Sequence, residues 1–345
     1  MNEPMLRWLP FELHTHTFHS DGKQTLLELA EGARALGFAG IALTDHNTMT
    51  GLADKETVSG QTGVGIIPGL EWTTFFGHMV TLGIREYVDW RNLSPFHLHR
   101  GIEEVHRQGG LAGIAHPFRV GSPMCTGCFW EFEVSDWREI DYIEVWSGLF
   151  PSIQRNNARA FALWTDLLNR GYRIAATSGR DWHVPGPVAE PVSATFLGIA
   201  GEADSSSTRA LPGAAVDALR RGAASISMGP LPLVSVRTED GSGAAVIGEA
   251  LGRPQDGLRP VVIASLAVDF TVRDGLWELQ KPAVELRLNS NRGVFAACEL
   301  SRERPEAASE VDVSGVSWVR GELYGVMHGV HTMIGFTNPI YFDIY

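Results

Sequence analysis

Short β-strand-like runs alternate with helical patterns through the first two thirds of the chain, and no other feature constrains the fold as much. In residues 24–38 (QTLLELAEGARALGF), apolar side chains recur at helical spacing and Gly37 follows as a stop, which predicts a helix. Strands alternating with helices predict an α/β fold with a mostly parallel sheet. Roughly seven such units precede Met228, so we predict a closed TIM-like barrel.

The pattern changes near Met228. From residue 230 onward, β-rich runs such as PVVIASLAVDF and AVELRLNSN follow one another, separated by Gly, Asp and Asn turns and without a good helical pattern. This part is typical of a small antiparallel β-sandwich. We therefore predict two domains, a barrel over residues 1–229 and a β-sandwich over residues 230–345.

Charge and composition restrict the partners. The net charge of −12 disfavours broad binding to a nucleic-acid backbone, but it allows a small anionic substrate held by metal ions. Uninterrupted apolar stretches stay well short of about 18 residues, and the N-terminus lacks a secretory pattern, so we expect no membrane partner. The sequence leaves the oligomeric state open, and a homo-oligomer is compatible with it.

The chain has three cysteines, which favours a reducing, cytoplasmic location. Cys125 and Cys128 form a CxxC pair. A zinc site would need a second ligand pair, and only Cys298 remains among the cysteines. We therefore interpret the pair as a loop with two small thiols.

Metal-capable side chains lie at or beside the ends of nearly all the predicted strands. In a barrel of parallel strands these ends open on one face, where active sites assemble. Imidazole and carboxylate groups without thiolate suit Zn, Mn or Fe in a hydrolytic site. The side chains concerned are His14, His16, Asp45, His46, Glu71, His78, His116, Asp181 and His183.

The stretch HTHTFHSDG, residues 14–22, carries the densest part of this pattern. His14 and His16 point to the same side of a strand, since side chains alternate, and both can reach one ion. Glu71 is the candidate for a carboxylate that bridges two ions. Ions about 3.5–4 Å apart clamp a phosphoryl group and lower the pKa of a bound water toward about 7. The predicted reaction is attack by a metal-bound hydroxide at a di- or trinuclear site.

HTHTFHSDG, ALTDHNT, IPGLEW, IAHP and TSGRDWH together resemble the motifs of the polymerase-and-histidinol-phosphatase (PHP) family of metal-dependent phosphoesterases. GLEWTTFFGHMVTLGI and GFTNPIYFD are similar to the CehA/McbA-like metallohydrolase branch of that family. The resemblance implies a distorted (β/α)7 barrel that holds two or three divalent ions. It also implies nine ligands: His14, His16, Glu71 and Asp181 for the first ion, Glu71, His78 and His116 for the second, and Asp21, His46 and His183 for the third.

The sequence gives weaker support for a role of several further residues in binding substrate or metal. Arg119 and Arg180, with Arg155 as a third, are candidates for binding a non-bridging phosphate oxygen, while surface ion pairing is the alternative. Glu144 alternates with apolar neighbours and is a rival ligand or a carboxylate with an arginine partner.

Other residues near the motifs are not expected to bind metal. We expect His19 to be a loop residue and Asp45 to support its neighbours rather than bind an ion. Trp182 stands where the PHP motif usually has a small residue, and it would either narrow the mouth of the site or pack beneath the strand.

The catalytic side chains expected for a phosphoesterase are Glu71, Asp181, Arg119 and Arg180. Two alternatives remain open at this point. A carboxyl-ester, amide or carbamate hydrolase would use the same ions, and a non-catalytic binding or regulatory protein would keep the fold without turnover. A nuclease is disfavoured by the charge of −12.

Overall fold

A computed structural model describes residues 6–119, 129–201, 209–252 and 260–342. Cys125 and Cys128 lie outside the described residues, so the interpretation of that pair stays a prediction. The helices are α1 (Leu26–Ala35), α2 (Lys55–Thr62), α3 (Leu98–Arg107), α4 (Arg155–Asn169) and α5 (Leu211–Arg220). Short 3-10 turns cover Thr50–Leu52, Trp137–Glu139 and Pro151–Ile153.

The strands fall into two groups along the chain. The first group is β1 (Arg7–Thr15), β2 (Gly40–Leu43), β3 (Gly65–Thr74), β4 (Gly77–Leu82), β5 (Leu111–Ala115), β6 (Tyr142–Ser147), β7 (Ala175–Gly179), β8 (Ala194–Ile199) and β9 (Ala224–Ser227). The second is β10 (Leu231–Thr238), β11 (Ala244–Val246), β12 (Ala250–Leu251), β13 (Val261–Asp269), β14 (Val284–Ser290), β15 (Gly293–Leu300), β16 (Glu306–Asp312), β17 (Trp318–Met327), β18 (Val330–Thr337) and β19 (Ile340–Phe342).

Helix α1 confirms the helix predicted within residues 24–38. Thr25 and Glu28 form a capping box in which each side chain accepts a hydrogen bond from the other's backbone N–H, satisfying donors that a helix start leaves free. The helix buries Leu26, Leu29, Ala30 and Ala33. These side chains share a buried apolar cluster with Ile41 and Leu43 of β2, which holds the helix against the sheet.

The predicted closed barrel is not confirmed. β1, β2 and β3 pair in parallel, as do β5, β6 and β7, but β4 is antiparallel to both β3 and β5. Residues 75–76 are too short to hold a crossover helix, so β3 and β4 form a hairpin. β8, which the sequence pattern does not reveal, pairs antiparallel with β1.

β1 and β7, the first and last of the first seven strands, are joined by one isolated bridge at or just beyond their carboxyl ends. Thr15 and Trp182 form an isolated parallel bridge, in which Trp182 N donates to His14 O at 3.0 Å and His16 N donates to Trp182 O at 2.9 Å. β7 and β1 do not pair along their length in the described residues, so the sheet stays open. The carboxyl ends of β1 and β7 are nevertheless side by side.

The C-terminal strands form two layers and pair antiparallel, as predicted, except for the short parallel pair of β12 with β19. One is a separate sheet in the order β11-β10-β13-β16, and the other contains β14, β15, β17, β18 and β19. Val234 of the first layer and Leu286 of the second belong to one buried apolar core. β18 also pairs with β9, so the second layer continues the sheet of the first group across residue 230. The domain boundary at 229/230 remains a prediction.

Helices of the described residues are too short or too polar to traverse a lipid bilayer.

Candidate metal centre

All nine predicted ligands converge at one end of the first strand group. They form three sets whose ligand atoms lie within 4.8 Å of one another. The sets share His16 and Glu71, so they make one continuous cluster. Their members are His14, His16, Glu71 and Asp181; Glu71, His78 and His116; and His16, Asp21, His46 and His183. The grouping matches the three predicted sets, with His16 as an additional neighbour in the third.

Glu71 occupies the middle of the cluster and is fully buried. Its Oε2 lies 3.2 Å from His14 Nε2 and 2.8 Å from His46 Nδ1, and its Oε1 lies 2.9 Å from His78 Nδ1 and 3.3 Å from His116 Nε2. The antiparallel β3–β4 hairpin brings Glu71 and His78 together. A carboxylate with histidines around both oxygens has the placement that a bridging ligand requires.

Asp181 completes the first set from the turn after β7. Its Oδ1 lies 3.1 Å from His16 Nε2 and 3.5 Å from His14 Nε2. Asp181 has φ 54° and His116 has φ 27°, a region that non-glycine residues rarely adopt and that costs about 1–3 kcal/mol each. Both strained residues direct their side chains at Glu71 or at its histidine neighbours.

The third set is more exposed than the other two. Asp21 Oδ1 lies 3.0 Å from His183 Nε2 and 3.4 Å from His46 Nε2. Asp21 reaches them because the turn after His16 folds tightly back on itself. A Cβ at Gly22 would lie 2.5 Å from the His16 carbonyl oxygen, so only glycine fits the turn.

Several atoms of the cluster are buried without a hydrogen-bond partner. Buried polar groups without partners are rare in folded proteins, and each calls for an explanation such as a bound ion. The atoms are His14 Nε2, both ring nitrogens of His16, Glu71 Oε2, His78 Nε2 and Asp181 Oδ1. Nitrogen and carboxylate oxygen atoms form the donor set that Zn, Mn and Fe accept, so these residues fit divalent ions.

The electrostatics of the cluster are unusual for a buried site. Burial alone would raise the pKa of Glu71, but the positive field of His14, His46 and His78 holds that pKa well below its usual value. The pKa of Asp181 is likewise held well below its usual value despite burial, chiefly by His14 and His16. Positive charge around both carboxyl groups therefore opposes the effect of burial, and divalent ions are a source of such charge.

Glu144, the rival ligand, contacts the cluster through a histidine. Its Oε2 lies 2.6 Å from His14 Nδ1, which leaves His14 Nε2 directed at Glu71 and Asp181. A carboxylate behind a ligating histidine fixes the ring and its tautomer. A Cβ at Gly179 would lie 2.8 Å from Glu144 Oε2, so glycine leaves room for this contact. The alternation in YIEVWSG placed Glu144 inward, but sequence alone did not reveal its partner.

Asp45 and His19 lie outside the three sets, as expected. Asp45 Oδ1 accepts hydrogen bonds from Thr17 N and Ser20 Oγ, both at 2.7 Å, and so holds the turn that carries Asp21. His19 Nδ1 lies 2.8 Å from Thr50 Oγ1 at the surface.

The predicted arginines lie at the edge of the cluster. Arg119 Nη1 donates to Asp181 Oδ2 at 2.6 Å, and its side chain is 44% exposed. Arg180 turns its guanidinium over the Trp182 ring, 4.3 Å from the centroid. Both line an open cavity of about 510 Å³ that also contains Asp181 and His183. Phosphate binding by either arginine remains a prediction.

Trp182 packs beneath the strand and does not narrow the mouth with its ring. Its side chain is almost fully buried in the apolar cluster of α1. The indole N–H donates to Val184 O at 2.7 Å, and the ring approaches the position where Gly32 lacks a Cβ to within 3.0 Å. A small residue of α1 therefore compensates for the large one in the motif.

An α/β sheet whose strand ends carry a histidine–carboxylate cluster defines a metal-binding class of protein, and comparison places the chain within it. The PHP domain matches residues 12–104. A protein of Methanocaldococcus jannaschii is 30% identical over 125 residues, 33% of this chain and 69% of the relative. The chain belongs to the PHP-domain family.

Two further comparisons concern function and architecture. The 3',5'-nucleoside bisphosphate phosphatase of Chromobacterium violaceum is 36% identical over 77 residues, 21% of this chain and 27% of the relative. A two-domain protein of Bacteroides vulgatus containing a predicted PHP-like metal-dependent phosphoesterase has a similar fold, with a TM-score of 0.51 and 14% identity. That likeness covers 97% of this chain and 96% of the other. Membership of the CehA/McbA-like branch stays a prediction.

Proposed function

We propose that this protein is a metal-dependent hydrolase, and specifically a phosphoesterase that acts on a small phosphorylated substrate. The observation that carries the proposal is the cluster of nine predicted ligands, Glu71 and eight residues around it, with buried nitrogen and oxygen atoms that lack hydrogen-bond partners. Kinship with a Chromobacterium violaceum bisphosphate phosphatase supports a phosphate ester as substrate.

The three sets would hold two or three divalent ions, chosen from Zn, Mn and Fe. Bound ions of this kind supply a Lewis acid that activates water near neutral pH and neutralises charge on a phosphoryl group. His14, His16 and Asp181 would hold one ion, His78 and His116 a second, and Asp21, His46 and His183 a third. Glu71 would join the first two sites, because its Oε2 lies near His14 and His16 and its Oε1 lies near His78 and His116.

The remaining side chains would prepare the site for an anion. Glu144 would keep His14 in the tautomer whose Nε2 faces the ions. Arg119 would share its guanidinium between Asp181 and a non-bridging phosphate oxygen, since a planar fork can contact both. Arg180 would add positive charge at the same cavity. These groups bind and orient the substrate and require no side-chain nucleophile.

Hydrolysis of two chromogenic esters tests the reaction class. The protein is stripped of metal, loaded with Mn, Zn or Fe, and assayed with nitrophenyl phosphate and nitrophenyl acetate. We expect metal-dependent release of nitrophenol from the phosphate. Turnover of the acetate alone would assign the site to carboxyl-ester chemistry, and failure to take up metal, measured by elemental analysis, would favour a binding protein.

We further infer that residues 1–229 carry the catalytic unit and residues 230–345 an accessory β-unit in a cytoplasmic protein. The lack of predicted ligands after His183 supports this division. The pairing of β9 with β18 predicts that the two units unfold together. Separate unfolding transitions in calorimetry would argue against that coupling.

A further inference from the structure

A second cavity, of about 550 Å³, opens beside the metal centre and carries a concentration of positive charge. The charged residues among its described lining are all arginines: Arg119, Arg155 and Arg159. In a chain with a net charge of −12, this is a local reversal of sign. Such a patch raises the local concentration of small anions.

The two cavities are continuous. The cavity that contains Asp181 and His183 shares Arg119, Gln154 and Asn156 with the arginine-lined cavity. Arg119 stands at the junction, where it contacts Asp181 at 2.6 Å. A molecule bound at the metal centre can therefore extend past Arg119 without leaving the protein surface.

Arg155 and Arg159 are presented by the first turns of α4. They are four residues apart, so their side chains lie on the same side of the helix. The Arg159 guanidinium lies 4.2 Å from the centroid of the Phe118 ring, a cation–π contact that restrains it. The start of α4 has no side-chain cap, and its dipole adds positive potential.

Some exposed arginines of the described residues have carboxylate partners, whereas others, such as Arg100, have none within 4.0 Å. Arg91 pairs with Asp89, and Arg138 pairs with Asp136, each at 2.7 Å. Among the described residues, no Asp or Glu oxygen lies within 4.0 Å of a guanidinium nitrogen of Arg155 or Arg159. Two unpaired guanidinium groups in a cavity that leads to the metal centre are available for an external anion.

We propose that Arg155 and Arg159 bind a second anionic group of the substrate. The substrate class is then small molecules with two anionic groups, of which one is hydrolysed at the metal centre and the other is held by these arginines. The identity of the hydrolysed group rests on the proposed function. A phosphate or a carboxylate satisfies the second position, because a guanidinium fork binds either.

Calorimetric titration with phosphonates, which resist hydrolysis, tests this subsite in the metal-loaded protein. The ligands are alkane bisphosphonates, ω-carboxyalkyl phosphonates and simple alkylphosphonates, each in a series of increasing chain length. We expect one length of a doubly anionic ligand to bind about tenfold tighter than the simple alkylphosphonate, and added NaCl to reduce this preference. The better of the two doubly anionic series identifies the second group.

Charge removal on α4 provides the control. Arg155→Gln and Arg159→Gln should each lower the ratio of the two affinities about fivefold or less, as for an exposed ion pair, and the double variant should bring it close to one. Arg100→Gln removes an exposed charge from α3, outside both cavities, and should keep the wild-type ratio.

Two results would overturn the subsite: equal affinities for singly and doubly anionic ligands at every length, or an unchanged preference in the double variant. The assay with nitrophenyl phosphate is independent of both. A preference that depends on Arg155 and Arg159, without hydrolysis of any phosphate ester, would refute the proposed function and leave the subsite standing. Hydrolysis of a phosphate ester without a preference for doubly anionic ligands would support the proposed function and refute the subsite.

Discussion

Two regions of this molecule bury charged side chains, and they do so in opposite ways. Around Glu71, several buried nitrogen and oxygen atoms have no hydrogen-bond partner. Around Arg320, in β17, the charged groups have hydrogen-bond partners within the protein. Arg320 Nε and Nη2 donate to Glu322 Oε1 at 3.0 and 2.8 Å, and Nη1 donates to Thr165 Oγ1 at 3.0 Å.

Aromatic rings complete the second environment. The Arg320 guanidinium lies between 4.3 and 4.9 Å from the ring centroids of Phe161, Trp164 and Trp318. Tyr324 donates to Glu322 Oε2 at 3.0 Å. A network satisfied within the protein joins α4 to the C-terminal strands, whereas a network with partnerless atoms is suited to an external ion. The contrast separates a cluster that the protein satisfies by itself from one that suits an external ion.

The largest expected effect comes from the centre of the unsatisfied cluster. Glu71→Gln keeps the shape but removes the charge that five histidines surround, so bound metal and hydrolysis should be lost. We expect kcat/KM for nitrophenyl phosphate to fall about a thousandfold or more, since an outer partner alone costs roughly 10–100-fold. His19→Asn, in the same motif region but outside the ligand sets, should retain both. Retention of stoichiometric metal in Glu71→Gln would contradict the bridging role.

Substitutions in the cluster around Arg320 should change the stability of the protein rather than its activity. Arg320→Met leaves Glu322 buried and unpaired, which should lower the free energy of unfolding by about 3–5 kcal/mol. Denaturant unfolding measures this loss, and metal content per folded molecule should not change. The paired change Arg320→Met with Glu322→Leu should restore most of the stability. If the single variant were as stable as the wild type, the proposed contrast between the two clusters would fail.

A smaller effect is expected at Glu144, which lies outside the three ligand sets but contacts His14. Glu144→Gln retains a hydrogen-bond partner for His14 Nδ1 but weakens its hold on the tautomer. We expect about a 10–100-fold loss in metal affinity or kcat/KM, with partial recovery at raised metal concentration. A loss as complete as that of Glu71→Gln would show that Glu144 is itself a ligand.

The smallest effect concerns a half-exposed ion pair remote from both clusters. The hydrogen bond to Asp141 raises the pKa of His106. A raised histidine pKa stabilises the folded state below the unfolded value and loses this effect as the pH rises through the folded value. His106→Gln should therefore destabilise the protein by about 0.5 kcal/mol at acidic pH and by less at alkaline pH, after solvent screening. Thermal unfolding at pH 5.5 and 8.5 measures the difference, and an equal shift at both would refute it.

The ligand cluster was predictable from sequence because metal chemistry restricts residue types and strand ends restrict position. His14 and His16 lie at the end of β1, Glu71 lies in the last half of β3, and Asp181 follows β7, so their convergence needed only a rough topology. Ligand binding itself is still a prediction.

The sequence did not reveal that the sheet stays open rather than closing into a barrel. The open sheet depends on β4 and β8. The antiparallel direction of β4 follows from a two-residue turn, and the apolar run of β8 resembles any buried strand. The orientation of Arg155 and Arg159 also depends on contacts, such as that with Phe118, that sequence spacing does not encode.

The bridge between Thr15 and Trp182 has a consequence for how the protein matures. The proposed first ion would need His14 and His16, at the end of β1, and Asp181, from a turn made much later during synthesis. A ribosome-bound chain that ends before that turn can offer only an incomplete coordination shell. If the proposed first ion binds there, we expect metal loading to follow the synthesis of Asp181, which lies beside His14 and His16 in the folded chain.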